Sequence, residues 1–171
     1  SNIGILSTNF VPSYFKQNIL KMAGHTVTTI YKQGMQFETD SPTGYKVLID
    51  TSPENGGNND GMGPKAMMLS GLAGCTGLDV VFVLNKMRVD VPKFKMVVKG
   101  ELTEEHPKTY HTVWLDYHFY GDDLNEEKIQ KAVTLSEEQY CGVMEMFRKF
   151  ADLKVGVHYH ALSALIEESE N

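Results

Sequence analysis

A chain of 171 residues with 42% hydrophobic and 22% charged side chains can bury one core and is too apolar to stay disordered. Its 16 lysines and arginines against 22 aspartates and glutamates give a formal net charge of −6; with no basic stripe to meet a phosphate backbone, nucleic acid is excluded as a partner. Two cysteines, Cys75 and Cys141, are too few for a disulfide framework and lack the paired spacing of a zinc site, so the sequence points to a reducing, cytoplasmic setting with no metal and no bound cofactor.

The opening residues carry no basic region and no long apolar run, and no secretory signal is expected there. Residues 1–25 read as an N-terminal arm, helix-compatible from Phe15 to Ala23 and stopped by Gly24. A single domain is expected over 26–160. It opens with three β-rich stretches, 27–31, 35–39 and 45–49, the last following a Ser41-Pro42-Thr43-Gly44 turn, which predicts a three-strand meander. Ser52 to Gly63 holds four glycines in twelve residues and reads as a mobile loop. Its neighbours Asp50, Glu54 and Asp60 lack the spacing and closing glutamate of a calcium loop.

Pro64 suits the first position of a helix that the pattern carries to about Arg88. The stretch from Pro64 to Leu84 has only Lys65 and Asp79 as charges, so a membrane helix must be weighed. Asp79 well inside the span and glycines at 71, 74 and 77 argue instead for the buried central helix of a soluble core, with no membrane as partner. The glycine stripe leaves room for a second backbone. A strand over 94–102 and another over 110–120 then predict a hairpin. A short acidic-ended helix follows over 122–133. Ser136 and Gln139 form a capping box, which predicts a second helix from Ser136 to about Phe150 with Cys141 in its second turn. A last strand is expected over 155–159, and residues 161–171 read as a C-terminal tail, amphipathic from Ala161 to Glu168.

Gly63-Pro64-Lys65-Ala66-Met67-Met68-Leu69-Ser70-Gly71-Leu72-Ala73-Gly74-Cys75-Thr76-Gly77-Leu78-Asp79-Val80-Val81 resembles the signature helix of the OsmC/Ohr family. Leu135-Ser136-Glu137-Glu138-Gln139-Tyr140-Cys141-Gly142-Val143 is similar to its second cysteine motif, and the likeness runs from about Thr26 to Val155. It implies an α+β, OsmC-like fold with curved antiparallel sheets around a long buried central helix, in an intertwined homodimer. It further implies thiol-dependent reduction of organic hydroperoxides in oxidative-stress defence. Cys75 would attack the peroxide and become a sulfenic acid, Cys141 would condense with it, and a dithiol reductant would reset the pair.

The chain departs from that pattern at the groups that ionise the attacking thiol. Peroxidase members of the family carry an Arg on the N-terminal strands and a Glu just after the helix-initiating Pro. Here both arginines, Arg88 and Arg148, follow Cys75, and Lys65 and Ala66 follow Pro64. Asp79 lies one turn after Cys75 on the same helix face, and a carboxylate there opposes a thiolate unless a cation intervenes. Lys65, Lys46 and Lys32 are the candidate cations. The alternative is a non-peroxidase member whose pocket binds a small acyl or aromatic ligand, and a third reading is a purely structural dimer. His158 and His160, with His111 and His118 on the hairpin, could hold a metal, but exposed strand histidines are common and no carboxylate spacing supports them. The methionines read as core filler.

Overall fold

A computed structural model describes residues 24–41 and 43–164; the expected helix over 15–23 and the tail beyond Ala164 lie outside those residues. The chain gathers into two compact units that divide between Gly61 and Met62.

The first unit is the expected meander. β1 (Thr28–Gln33), β2 (Gln36–Asp40) and β3 (Lys46–Ile49) pair antiparallel in chain order. Gly34, at φ +52°, makes the first turn, a conformation that glycine adopts without steric cost. Ser41 organises the second, its Oγ accepting the N–H groups of Thr43 and Tyr45. Ile30, Tyr31 and Tyr45 are more than half exposed.

The glycine-rich loop differs from the free segment expected from its composition. Asp50 is buried and its carboxylate accepts the backbone N–H groups of Thr51 at 2.8 Å, Asn58 at 3.0 Å and Asp60 at 3.1 Å. Glycine content measures how many shapes a loop can take. One buried acceptor selects among them, and here it gathers the loop around itself.

The second unit holds α1 (Pro64–Lys86), β4 (Lys93–Leu102), β5 (Tyr110–Tyr120), α2 (Glu126–Leu135), α3 (Gly142–Phe147) and β6 (Asp152–His160). β4 and β5 form the expected antiparallel hairpin, while β6 joins β5 in parallel, so this sheet is mixed. The reason is the helical connection: a chain that leaves the far end of β5 and is carried by α2 and α3 back to the end where β5 began starts its next strand in the same direction. Strand alternation sends Val113, Leu115, Tyr117 and Phe119 inward, all with no exposed surface, and Trp114, Asp116 and His118 outward. The inward row packs with Leu72, Val80 and Leu84 of α1, Ile129 and Val133 of α2 and Met144 of α3 in one core. Each such side chain contributes about 1.5–3 kcal/mol by leaving water.

α1 is long and apolar enough to cross a membrane by length and composition, yet one side of it is the core of this unit. Gly77 lies against Met96, whose sulfur would stand 3.0 Å from an added Cβ. Among the described residues the opposite side is bare: nothing lies within 4 Å of a Cβ added at Gly71 or Gly74, and Leu78 is 75% and Phe82 54% exposed. The fully buried central helix expected from composition is therefore covered on one side only by the described residues of its own unit.

The capping box at Ser136 does not form. α2 runs into a π-helical turn over Ser136–Tyr140, and Ser136 has helical backbone angles of −61° and −46°. Its hydroxyl is engaged elsewhere, with Thr76 of α1. Tertiary hydrogen bonding has overridden a local capping signal.

Candidate active site

Two elements carry the site. α1 presents Cys75 and Asp79 one turn apart on one face. Cys141 comes from the break that follows the π-turn, where its backbone turns extended at φ −77° and ψ 95°. Its N–H closes the π-turn onto the Ser136 carbonyl at 2.9 Å, and its sulfur accepts the Met144 N–H at 3.4 Å as the cap of α3. This residue, expected within a continuous helix, is instead held at a helix start. The wide π-turn sets it there, in keeping with the association of such turns with functional sites.

The two sulfurs and one Asp79 carboxylate oxygen lie within 4.8 Å of one another. Cys75 is half-buried and Cys141 buried. Burial pushes the Cys141 thiol well above the ordinary range, outweighing the Met144 N–H, with the Cys75 sulfur and the Asp79 carboxylate adding to the shift. Cys141 is therefore a thiol at neutral pH. Burial also raises the Asp79 carboxyl, and its Oδ2 is out of solvent with no hydrogen-bond partner among the described residues.

A buried hydroxyl cluster fixes this geometry from beneath. Thr76, next to Cys75, shares hydrogen bonds with the Tyr117 hydroxyl and, at 2.8 Å, with Ser136. It ties α1 to β5 and to the π-turn at once. Burial raises the Tyr117 hydroxyl far above its usual range, so it stays protonated and available as a donor.

Cys141 opens onto a cleft of ≈ 310 Å³ lined by Glu137, Tyr140, Gly142 and Arg148, among others. Arg148 donates to the Glu137 carbonyl at 2.7 Å and reaches the Met144 sulfur at 3.4 Å. Sequence reading named Arg148 only as absent from the expected place. Its spacing was the available signal, since seven residues after Cys141 is two helical turns on one face.

Two of the candidate lysines engage Glu38 within the first unit. Lys46, on β3 of the first unit, pairs with Glu38 at 2.6 Å. Lys32, on β1, acts on the same Glu38 carboxylate. Lys65 precedes Cys75 by ten helical residues, about 15 Å along the axis. It lines a second, apolar cleft of ≈ 270 Å³ with Met68, Lys108, Thr109, Tyr110 and Phe150.

The strand histidines do converge. His118 and His160 share a hydrogen bond at 2.9 Å, and His158 meets Asp116 at 2.9 Å on the same outer face. Burial, the neighbouring His158 and His160, and Lys95 hold His118 below the usual histidine range, against the pull of Asp116. His111 stands apart, bonded to Thr112.

Comparison with known proteins places these features. The OsmC-like protein family model matches residues 57–155. Protein YhfA of Escherichia coli K12 is 32% identical over 121 residues, covering 71% of this chain and 87% of YhfA. A hypothetical protein of Aquifex aeolicus VF5 superposes with a TM-score of 0.71 at 27% identity, over 82% of this chain and 98% of that one. An organic hydroperoxide resistance protein OsmC of Legionella pneumophila gives a TM-score of 0.61 at 19% identity, over 80% and 98%.

Proposed function

Since the chain belongs to the OsmC family, we propose that it is a cytoplasmic two-cysteine thiol peroxidase acting on organic hydroperoxides in oxidative-stress defence. The observation that carries this reading is the approach of the Cys75 and Cys141 sulfurs to within 4.8 Å. Cys75 is the attacking residue because it is the more exposed of the two and because Cys141 is held as a neutral thiol. Its thiolate attacks the terminal peroxide oxygen and the O–O bond breaks, so that Cys75 becomes a sulfenic acid and the departing alkoxide leaves as an alcohol, taking up the proton that the thiol released on ionising. The Cys141 sulfur then displaces that hydroxyl as water and forms the disulfide. A dithiol reductant returns both residues to thiols and leaves as its own disulfide. Arg148 lines the cleft onto which Cys141 opens and brings a cation to it.

The bare stripe of Gly71, Gly74, Leu78 and Phe82 on α1 supports a homodimer, with the same helix of a second copy crossing it. Consumption of cumene hydroperoxide in the presence of dithiothreitol tests the activity. Wild type turns over, Cys75→Ser falls to background, and equal rates for the two reject the mechanism.

The apolar cleft favours a second reading on its own account. Met68, Tyr110 and Phe150 offer apolar walls, and Lys65 and Lys108 offer ammonium groups, which suits a small aromatic or acyl acid. Binding of such an acid that persists in the Cys75→Ser, Cys141→Ser double variant, with no peroxide turnover in wild type, selects it.

A further inference from the structure

The Cys75, Asp79 and Cys141 cluster has the composition of a metal site. We propose that the reduced protein binds one divalent thiophilic cation of the zinc type through the two sulfurs and the Asp79 carboxylate. Three observations carry this.

The first is distance. Zinc–sulfur bonds of about 2.3 Å at the tetrahedral angle set two sulfurs about 3.8 Å apart, and a carboxylate oxygen sits slightly closer. The three donor atoms already lie within 4.8 Å of one another, so shifts of about 1 Å at the donor atoms bring them to that spacing.

The second is the orphaned carboxylate. Asp79 Oδ2 is buried without a hydrogen-bond partner among the described residues. A charge in that position is costly unless a cation accompanies it. Arg148 is committed to the Glu137 carbonyl, and Lys46 to Glu38.

The third is the donor chemistry. Two thiolates select soft and borderline metals over calcium or magnesium, and one carboxylate is well tolerated by zinc. Binding displaces both thiol protons to solvent: two thiols, one carboxylate and a dication give a complex of charge −1 and two released protons. Water fills the fourth position, since the described residues place no fourth His, Cys, Asp or Glu donor in the cluster.

Sequence spacing speaks against zinc because it looks for ligands close together in the chain. Here the fold assembles them, from the middle of one helix and the start of another. The inference does not require hydroperoxide to be the substrate. Metal and peroxide compete for the same reduced sulfurs, so the metal would shield them from oxidation.

The test is anaerobic titration of the reduced, chelator-treated full chain with Co²⁺, followed by displacement with Zn²⁺. One equivalent should produce sulfur-to-cobalt charge-transfer absorption, which Zn²⁺ abolishes. Cys75→Ser and Cys141→Ser should each reduce that intensity and weaken binding. Asp79→Asn, nearly isosteric, should weaken it at least tenfold with both sulfurs intact. Wild type oxidised to its disulfide should bind nothing, a control that needs no variant. Absence of the charge-transfer band in reduced wild type overturns the proposal, as does unchanged affinity in Asp79→Asn. Peroxide turnover by the metal-free protein is measured separately, so a failure of either reading is recognisable without the other.

Discussion

The Cys75 and Cys141 sulfurs lie within 4.8 Å of each other although one sits in the middle of α1 and the other at the break before α3. Disulfide formation between them then requires the sulfurs to close from this separation to about 2.05 Å. One equivalent of cumene hydroperoxide should remove both free thiols of wild type and leave a monomeric, intramolecular disulfide on non-reducing mass analysis. Cys141→Ser should stop at a Cys75 sulfenic acid that dimedone traps. An intermolecular disulfide as the main product would contradict the pairing.

Much of this arrangement was legible in the sequence. The meander, the long helix from Pro64 and the hairpin follow from β-branched runs, a proline at a helix start and alternation, all local signals. The two cysteine motifs with Asp79 identify three residues that the fold does bring together. What local reading could not reach depends on competition between distant groups. Ser136 looks like a cap because its neighbours suit one, but Thr76 claims its hydroxyl across the core. The Ser52–Gly63 loop looks free because nothing in its composition reveals that Asp50 is buried at its foot. Lys46 looks available because Glu38 becomes its partner only once β2 and β3 pair in register.

Thr76 should matter to the fold more than its size suggests. Thr76→Val keeps the shape but leaves the buried Tyr117 hydroxyl without its partner, which costs about 1–3 kcal/mol. Tyr117→Phe should cost less, since Thr76 then still bonds Ser136. Urea denaturation of both single variants and the double variant should give a double variant less destabilised than the sum of the two. Strict additivity would show that the hydroxyls do not act together.

Asp50 makes the loop acid-sensitive. The Thr51 N–H first, then those of Asn58 and Asp60, hold its carboxyl below the ordinary range. A depressed folded-state value means that the stabilisation is present above the unfolded value near 3.8 and is lost as the pH falls through the folded one. Asp50→Asn should therefore lower Tm at pH 7, with the gap to wild type closing below about pH 4. A gap independent of pH would assign the effect to shape instead of charge.

The bare side of α1 distinguishes two kinds of glycine. An alanine at Gly77 would press on the Met96 sulfur inside the same chain, whereas at Gly71 and Gly74 no described residue comes within 4 Å of an added Cβ. If a second copy of α1 crosses at this stripe, Gly74→Val should leave the far-ultraviolet spectrum of the chain intact while weakening the dimer, and Leu78→Glu should dissociate it by burying an unpaired charge. Gly77→Ala should act in the opposite sense. It should lower stability through β4 with the association constant little changed, because Met96 must shift within its own chain. Sedimentation equilibrium across micromolar concentrations reads both effects. A Leu78→Glu variant that sediments with wild type would move the contact to another surface.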